Sequence, residues 1–103
     1  MEVFLSPLAE KKLILVVEYI EETFSLKSKR EFLKKFSKSI EQISQHPKSC
    51  PQSEFQTNFF KCIFTKQSTF YYRIKDNEIE IVTITDNRQD PEKVKVEIEN
   101  YFG

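Results

Sequence analysis

The hydrophobic residues of this chain change their spacing once, near the middle of the sequence. Up to Pro47 they recur every three or four positions, which places them on one face of a helix. After Asn58 they alternate with polar residues, and β-branched and aromatic side chains predominate. The sequence therefore predicts helices in the first half of the chain and strands in the second.

The first helix carries two apolar stripes. Residues 3–5 are predicted to form a short strand, and Ser6 followed by Pro7 is a helix-start signal for a helix over residues 7–24. The main stripe of this helix is expected to face the interior. A narrower stripe lies off that face and contains Leu8, Leu15 and Tyr19. The helix is therefore expected to touch something on two sides, either the second helix together with the sheet or a bound partner.

The second helix has a basic outer side. Ser28 is predicted to cap it, and it runs to about His46. Residues 27–38 carry six bases against one acid and include Lys34 and Lys38. Such a run is typical of a solvated helix face, and a surface that binds a partner is the alternative. His46, the only imidazole of the chain, is expected to lie at the end of the helix without a catalytic role.

Three strands are predicted after the helices. They span residues 59–64, 69–75 and 78–85, and residues 66–68 form the turn between the first two. The dipeptide Asp76-Asn77 forms a two-residue turn between the last two, because Asp and Asn tolerate positive φ. A hairpin with this turn has a defined register.

The register predicts which side chains face each other across the hairpin. Arg73 is opposite Glu80, so a structural ion pair is expected for Arg73, with a partner contact as the alternative. Tyr71 is opposite Val82 on the face that points away from the core, whereas Tyr72 belongs to the core. Tyr71 is therefore a candidate partner contact.

The face of the sheet that carries Tyr71 is too apolar to be freely solvated. Val82 and Ile84 are expected to extend it into a patch. Two segments are candidates to cover this patch. One is residues 90–102, predicted to include a short helix that begins after Pro91, and the other is a second protein chain.

Composition excludes several classes of protein. The chain is 39% hydrophobic with one glycine, so collagen-like, low-complexity and disordered sequences are excluded. Its 103 residues suffice for one core, and we expect a single domain over residues 1–103. The longest apolar run, residues 13–17, is too short for a membrane span or a secretory signal, so a soluble, cytoplasmic protein is expected. Cys50 and Cys62 lack the spacing of a zinc or redox motif and are expected to be free thiols; no metal or cofactor is expected.

The residues and element order together resemble a known toxin family. Four short phrases occur in order along a β-α-α-β-β-β pattern: Ser6-Pro7-x-Ala9-Glu10, Phe70-Tyr71-Tyr72-Arg73-Ile74, Ile79-x-Ile81-Val82-x-Ile84 and Arg88-Gln89-Asp90-Pro91. The chain thereby resembles the RelE/ParE toxins of bacterial type II toxin–antitoxin systems. The resemblance implies an α+β fold in which a helical hairpin packs on a small antiparallel sheet.

The resemblance also implies partners. A toxin of this family, of the kind linked to plasmid stabilisation, inhibits growth until its cognate antitoxin wraps it. It contacts operator DNA only through the antitoxin and forms homodimers or toxin–antitoxin hetero-oligomers. No membrane partner is implied.

Two activities divide the family. RelE-like members are ribosome-dependent mRNA interferases, which need cations at the scissile phosphate and groups for proton transfer. The family's arginine, lysine and late tyrosine fall on Thr69, near Ile63 and near Val94, so three of four expected groups are absent. If the alignment is shifted by a residue at the turn of residues 66–68, the expected lysine falls on Lys61, but the strand still provides no second arginine. ParE-like members inhibit DNA gyrase by protein contact, and the missing groups favour this activity.

Arg88 is the one interferase group that the pattern retains. It is the catalytic candidate if the chain is an interferase, and otherwise Arg88 and Gln89 are candidate contacts to a partner. An intramolecular pair of Arg88 with Asp86 or Asp90 is the alternative. The sequence thus predicts a ParE-like gyrase inhibitor, with an mRNA interferase as the runner-up and a degenerate, non-toxic interaction or autoregulation module as a third possibility.

Charge separates the two halves of a chain that is neutral as a whole, with 16 bases and 16 acids. The basic run on the second helix contrasts with residues 76–99, where eight acids face three bases. A toxin that cuts mRNA is expected to be basic near the sheet and Arg88. This distribution favours a protein target, with the basic helix meeting an acidic antitoxin.

Overall fold

The computed structural model describes residues 1–54, 58–87 and 90–102. Residues 101 and 102 are described by their backbone alone. Its elements follow the predicted order and are listed with their bounds: β1 (Glu2–Leu5), α1 (Pro7–Thr23), α2 (Leu26–Gln45), β2 (Phe59–Ile63), β3 (Ser68–Lys75), β4 (Glu78–Asp86) and α3 (Pro91–Phe102). All except the start of α2 lie within one residue of the predicted bounds. None of the described helices is long and apolar enough to cross a membrane.

The four strands form one sheet in the order β1-β4-β3-β2. β1 is parallel to β4, and the other neighbours are antiparallel. Helices α1 and α2 pack on one face of the sheet and α3 packs on the other. The predicted α+β fold, a helical hairpin on a small antiparallel sheet with a short C-terminal helix, is confirmed.

Serine side chains begin both long helices. Ser6 caps α1 as predicted, because its Oγ accepts a hydrogen bond from the amide of Ala9 at 3.0 Å. The predicted cap of α2 at Ser28 is wrong. Ser25 occupies the cap with extended backbone and accepts from the amide of Ser28 at 3.0 Å. A cap was available three residues earlier, so the helix starts at Leu26.

Replacing Ser6 by alanine is expected to lower the free energy of unfolding by about 2–3 kcal/mol. The Ser6 side chain is fully buried, and its Oγ also donates a hydrogen bond to the carbonyl of Val82 at 2.7 Å. The substitution therefore removes the helix cap and leaves this carbonyl without the hydrogen bond from Ser6. Urea unfolding monitored by circular dichroism measures the change. Ser25→Ala is the control, since it removes an exposed cap worth about 1 kcal/mol. Equal losses in the two variants would contradict the role assigned to the buried bond.

The main core lies between the helical hairpin and the sheet. Phe70 is at its centre, with ring centroids 5.7 Å from Phe36, 5.5 Å from Phe64 and 5.9 Å from Tyr72. Tyr72 is fully buried, as predicted, and its hydroxyl donates to the carbonyl of Pro47 at 2.8 Å. This bond ties the segment after α2 to the middle of β3.

The β3–β4 hairpin has the predicted turn and most of the predicted register. Asp76 and Asn77 have φ values of 53° and 64°, as a type I′ turn requires. Arg73 is opposite Glu80 and Tyr72 is opposite Ile81, as expected. The predicted pairing of Tyr71 with Val82 is wrong. A bulge between positions 71 and 72 of the ladder places Thr83 opposite Tyr71.

The bulge also moves Ile84 to the other side of the sheet. One extra residue on β4 inverts the alternation of side chains beyond it. Ile84 is therefore opposite Phe70 and packs in the main core, contrary to the predicted patch with Tyr71 and Val82. Tyr71 and Val82 remain together on the second face.

Helix α3 covers that second face. Val94 and Ile98 pack with Phe59, Tyr71 and Val82 in a separate cluster, and all five side chains are almost fully buried. Of the two predicted occupants, the C-terminal segment is the one present. Two polar contacts hold α3 in place: Thr83 donates to Glu97 at 2.9 Å, and Lys12 of α1 contacts the same carboxylate at 2.7 Å.

Candidate functional site

The outward face of α1 is apolar and exposed. Leu15 and Tyr19 are each 53% exposed, so neither α2 nor the sheet covers these two residues of the second stripe, whereas Leu8 is half-buried. They line a hollow of about 270 Å³ between α1 and the ends of β3 and β4. Lys12 and Asp86 also line this hollow and put one charge of each sign there.

A second hollow continues along the end of the helical hairpin. It has a volume of about 260 Å³ and is lined by Phe24, which is 66% exposed, together with Phe32 and Lys35. Both hollows include Ser68. The rings of Tyr19 and Phe24 meet edge to face at 6.3 Å. We call the two hollows together the α1 groove.

The α1 groove has the character of a protein-binding surface. Its lining combines aromatic and aliphatic side chains with two bases, Lys12 and Lys35, and two acids, Glu31 and Asp86, a distribution that suits the apolar face of an amphipathic segment. Phe24 and Ile84 were not among the predicted contacts. Phe24 is the C-cap residue that follows Thr23, the last residue of α1, and Ile84 reaches the groove because of the bulge.

From the basic run of α2, Lys35 lines the second hollow, beside Glu31. Lys34 and Lys38 are exposed on the helix, as the pattern predicts. Lys29, from the same run, contacts Glu21 of α1 at 2.9 Å and so joins the two helices. An acidic partner that enters the groove would thus meet positive charge beside it.

Arg73 has the expected structural contact. Its Nε donates to Oε1 of Glu80 at 2.6 Å, and both side chains are mostly buried. The pair crosses the β3–β4 hairpin near its turn. A charge already held in this way is less available to a partner than Lys34 or Lys38.

A third hollow lies beside α3, at the end of the sheet. It has a volume of about 280 Å³, and its described lining includes Glu54, Lys61, Tyr71, Asp86 and Asn87. Tyr71 lies at its base and is only 4% exposed, because α3 packs over the rest of the ring. Arg88 and Gln89 lie outside the described residues, although they follow Asn87 in the sequence.

The pKa of Tyr71 is raised above its ordinary value of 10.0 by burial and then by the negative charge of Glu54. The phenol is therefore protonated at neutral pH and is not a general base. The folded state holds this proton more tightly than the unfolded chain does. Stability is consequently retained below pH 10 and falls as the pH rises through the folded-state pKa.

Substituting Glu54 with glutamine is expected to lower the pKa of Tyr71 while leaving it above 10, since burial is the larger cause. Spectrophotometric titration of the tyrosinate band measures this shift, and Tyr71→Phe assigns the transition. Glu10→Gln, an exposed change on α1, is the control and should leave the titration unchanged. An identical curve for Glu54→Gln would show that the carboxylate does not influence the phenol.

The described part of this hollow does not resemble a phosphate-binding site. Among its described lining residues Lys61 is cationic, whereas Glu54 and Asp86 are acidic. Three positions of the interferase pattern, Thr69, Ile63 and Val94, carry no charge. The Thr69 hydroxyl donates to the side chain of Asn87, and Val94 is buried beneath α3. Within the described residues, no three His, Cys, Asp or Glu side chains are placed to hold a metal ion.

Comparison with protein families shows which family the chain belongs to. Residues 3–91 match the family described as the ParE toxin of type II toxin–antitoxin system, parDE. The chain belongs to the ParE toxin family. The matched range runs from β1 to the first residue of α3, so it contains both the α1 groove and the hairpin of this ParE-family toxin. No curated protein sequence matches it.

Solved structures show the same fold at low sequence identity. A chromosomal ParDE toxin–antitoxin system from P. aeruginosa matches with a TM-score of 0.71 and 13% identity, over 84% of this chain and 95% of the other. A YoeB/ParE toxin from Agrobacterium tumefaciens has a TM-score of 0.61 at 13% identity, over 84% and 99% of the two chains. The YoeB–YefM complex from Staphylococcus aureus has a TM-score of 0.55 at 15% identity, over 82% and 94%.

Proposed function

We propose that this ParE-family toxin inhibits DNA gyrase by protein contact and that a cognate antitoxin neutralises it. The family match over residues 3–91 carries the proposal. The hollow beside α3 supports it, because the described residues there offer one lysine, two acidic side chains and a neutral tyrosine, where an mRNA interferase needs several cations. Contact with a protein target requires no such chemistry.

The α1 groove is the surface that the antitoxin occupies in this proposal. Leu15, Tyr19 and Phe24 supply exposed apolar area for an amphipathic segment of the antitoxin. Lys35, which lines the groove, and the exposed Lys34 and Lys38 of the same helix supply the positive charge that attracts an acidic segment. The structural relative from Staphylococcus aureus is itself a complex of YoeB with YefM, and contact with operator DNA would occur through the antitoxin.

A second candidate function is cleavage of mRNA on the ribosome. Lys61 favours it, because this lysine and Tyr71 line the same hollow at the end of the sheet. Losing one preorganised stabilising donor typically lowers a catalytic rate by about a hundredfold or more. A site with Lys61 as its described cation would thus be slow, and the interferase ranks second.

Purified toxin is expected to block supercoiling of relaxed plasmid by DNA gyrase, and addition of the antitoxin encoded in the adjacent reading frame is expected to restore it. A gel assay of plasmid topology measures both effects. Unaltered supercoiling at saturating toxin would contradict the proposal.

Primer extension on translated messages after induction identifies the alternative, since new cuts in the ribosomal A site that vanish in Lys61→Ala and Arg88→Ala would show an interferase. Unchanged growth on induction would instead show a non-toxic module.

A further inference from the structure

The segment that follows α2 pairs with the edge strand β2. Gln52 and Phe60 form an antiparallel bridge. Two backbone hydrogen bonds flank it: the amide of Ser53 donates to the carbonyl of Phe59 at 2.6 Å, and the amide of Lys61 donates to the carbonyl of Pro51 at 2.9 Å. Residues 51–53 thus cover the outer edge of β2 with a defined register.

This register places the two cysteines of the chain opposite each other. In an antiparallel pair each step forward on one strand is a step back on the other, so continuing the register of Gln52 and Phe60 by two residues brings Cys50 beside Cys62. The bonds around Gln52 and Phe60 mark a non-hydrogen-bonded pair. The class alternates with each residue, so the same register, continued by two residues, makes positions 50 and 62 a pair of that class, and the two cysteine side chains are hydrogen-bonded to each other.

Non-hydrogen-bonded pairs have the geometry that a disulfide needs. Their Cα atoms lie about 4.5 Å apart, within the range of about 4.4–6.8 Å seen across disulfides. The two side chains also share a face. Cys62 is buried in the main core and Cys50, which is half-buried, packs against that core.

The environment distinguishes the two thiols. Burial, and after it a hydrogen bond with the Cys50 thiol, raises the pKa of Cys62 to about 12. Cys62 is therefore protonated at neutral pH, and it becomes a nucleophile only when its proton is removed. The more exposed Cys50 is the position that an oxidant reaches first.

We propose that Cys50 and Cys62 form a redox modification site that closes reversibly into an intramolecular disulfide when the toxin meets a small disulfide oxidant of the glutathione disulfide class. The Cys50 thiolate attacks one sulfur of the oxidant, forms a mixed disulfide and releases one glutathione thiolate. Cys62 then loses its proton and attacks the Cys50 sulfur, which expels the second glutathione. The two thiols lose two electrons and two protons, and the oxidant becomes two glutathione thiols.

The disulfide would clamp the edge of the sheet. It joins the segment before Pro51 to β2, and the next residues of that segment, Ser53 and Glu54, line the hollow beside α3. The disulfide closes the loop between residues 50 and 62, and this restricts the unfolded chain more than the folded one. The oxidised toxin is expected to unfold at a temperature about 10 °C higher than the reduced toxin.

Incubation of the folded toxin with glutathione disulfide at mildly alkaline pH tests the site. Intact mass spectrometry is expected to show loss of two hydrogens with no glutathione adduct, and tryptic mapping is expected to join peptides 49–61 and 62–66. Dithiothreitol should reverse both changes together with the shift in melting temperature. Cys50→Ser and Cys62→Ser are the matched controls, and neither should form an internal link.

Three results with the unsubstituted toxin would overturn the proposal. They are two thiols that stay free at saturating oxidant, a stable glutathione adduct on either cysteine, and a disulfide between two molecules. Because these readouts need no variant, a misfolded serine variant does not affect the outcome. None of them depends on gyrase or on an antitoxin.

Discussion

Replacing Tyr19 by aspartate is expected to weaken binding of the antitoxin by about 30-fold or more. Tyr19 is half exposed at the centre of the α1 groove, where an aromatic side chain is a typical interface hot spot worth about 2 kcal/mol or more. A carboxylate there would be desolvated without a partner and would repel an acidic segment. Isothermal titration calorimetry with the antitoxin measures the loss.

Val96→Asp is the matched control for Tyr19→Asp. Val96 is 48% exposed on α3, away from the α1 groove, so the same change of chemistry there should leave antitoxin affinity unaltered. Leu15→Asp, inside the groove, should behave like Tyr19→Asp. If both groove variants bind the antitoxin as tightly as the unsubstituted toxin does, the antitoxin does not occupy this groove.

Phe70→Ala is expected to lower the free energy of unfolding by about 3–5 kcal/mol. The ring is fully buried and contacts the rings of Phe36, Phe64 and Tyr72, so its removal leaves a cavity where helices and sheet meet. A domain of this size has a total stability of about 5–15 kcal/mol, so a large part of it would be lost. Urea titration followed by circular dichroism measures the change.

Phe24→Ala is the control for that substitution. The same ring is removed from a position that is 66% exposed, and the expected change is within about 0.5 kcal/mol. Phe24 also lines the α1 groove, so this variant should combine normal stability with weaker antitoxin binding. An equal unfolding midpoint for Phe70→Ala and the unsubstituted toxin would contradict the position of Phe70 at the centre of the core.

The elements of this fold were predictable because each has a strong local signal. Ser6 and Pro7 mark the start of α1. Asp76 and Asn77 mark the turn of the hairpin, because both residues tolerate the positive φ values that this turn requires. The start of α2 was less predictable. Ser25 and Ser28 are both competent caps, and a local pattern does not rank them.

The candidate site was predictable in part. Leu15 and Tyr19 stood out because they lie off the buried stripe, and the structure leaves both exposed beside a hollow. Lys34 and Lys38 were evident from the charge run. Their roles toward a partner stay predictions, as do those of Arg88 and Gln89.

By itself the sequence determined the order of helices and strands, the turn of the hairpin and the resemblance to RelE/ParE toxins, since all three depend on neighbours in the chain. Only the tertiary structure decided what lies on each face of the sheet. The bulge beside Tyr71 sends Ile84 into the main core, and α3 buries Tyr71. It also decided that Cys50 meets Cys62, since pairing across the edge of β2 joins segments that no local spacing relates. A bulge inverts the alternation on one strand, and packing of distant segments selects among patterns that are locally equivalent.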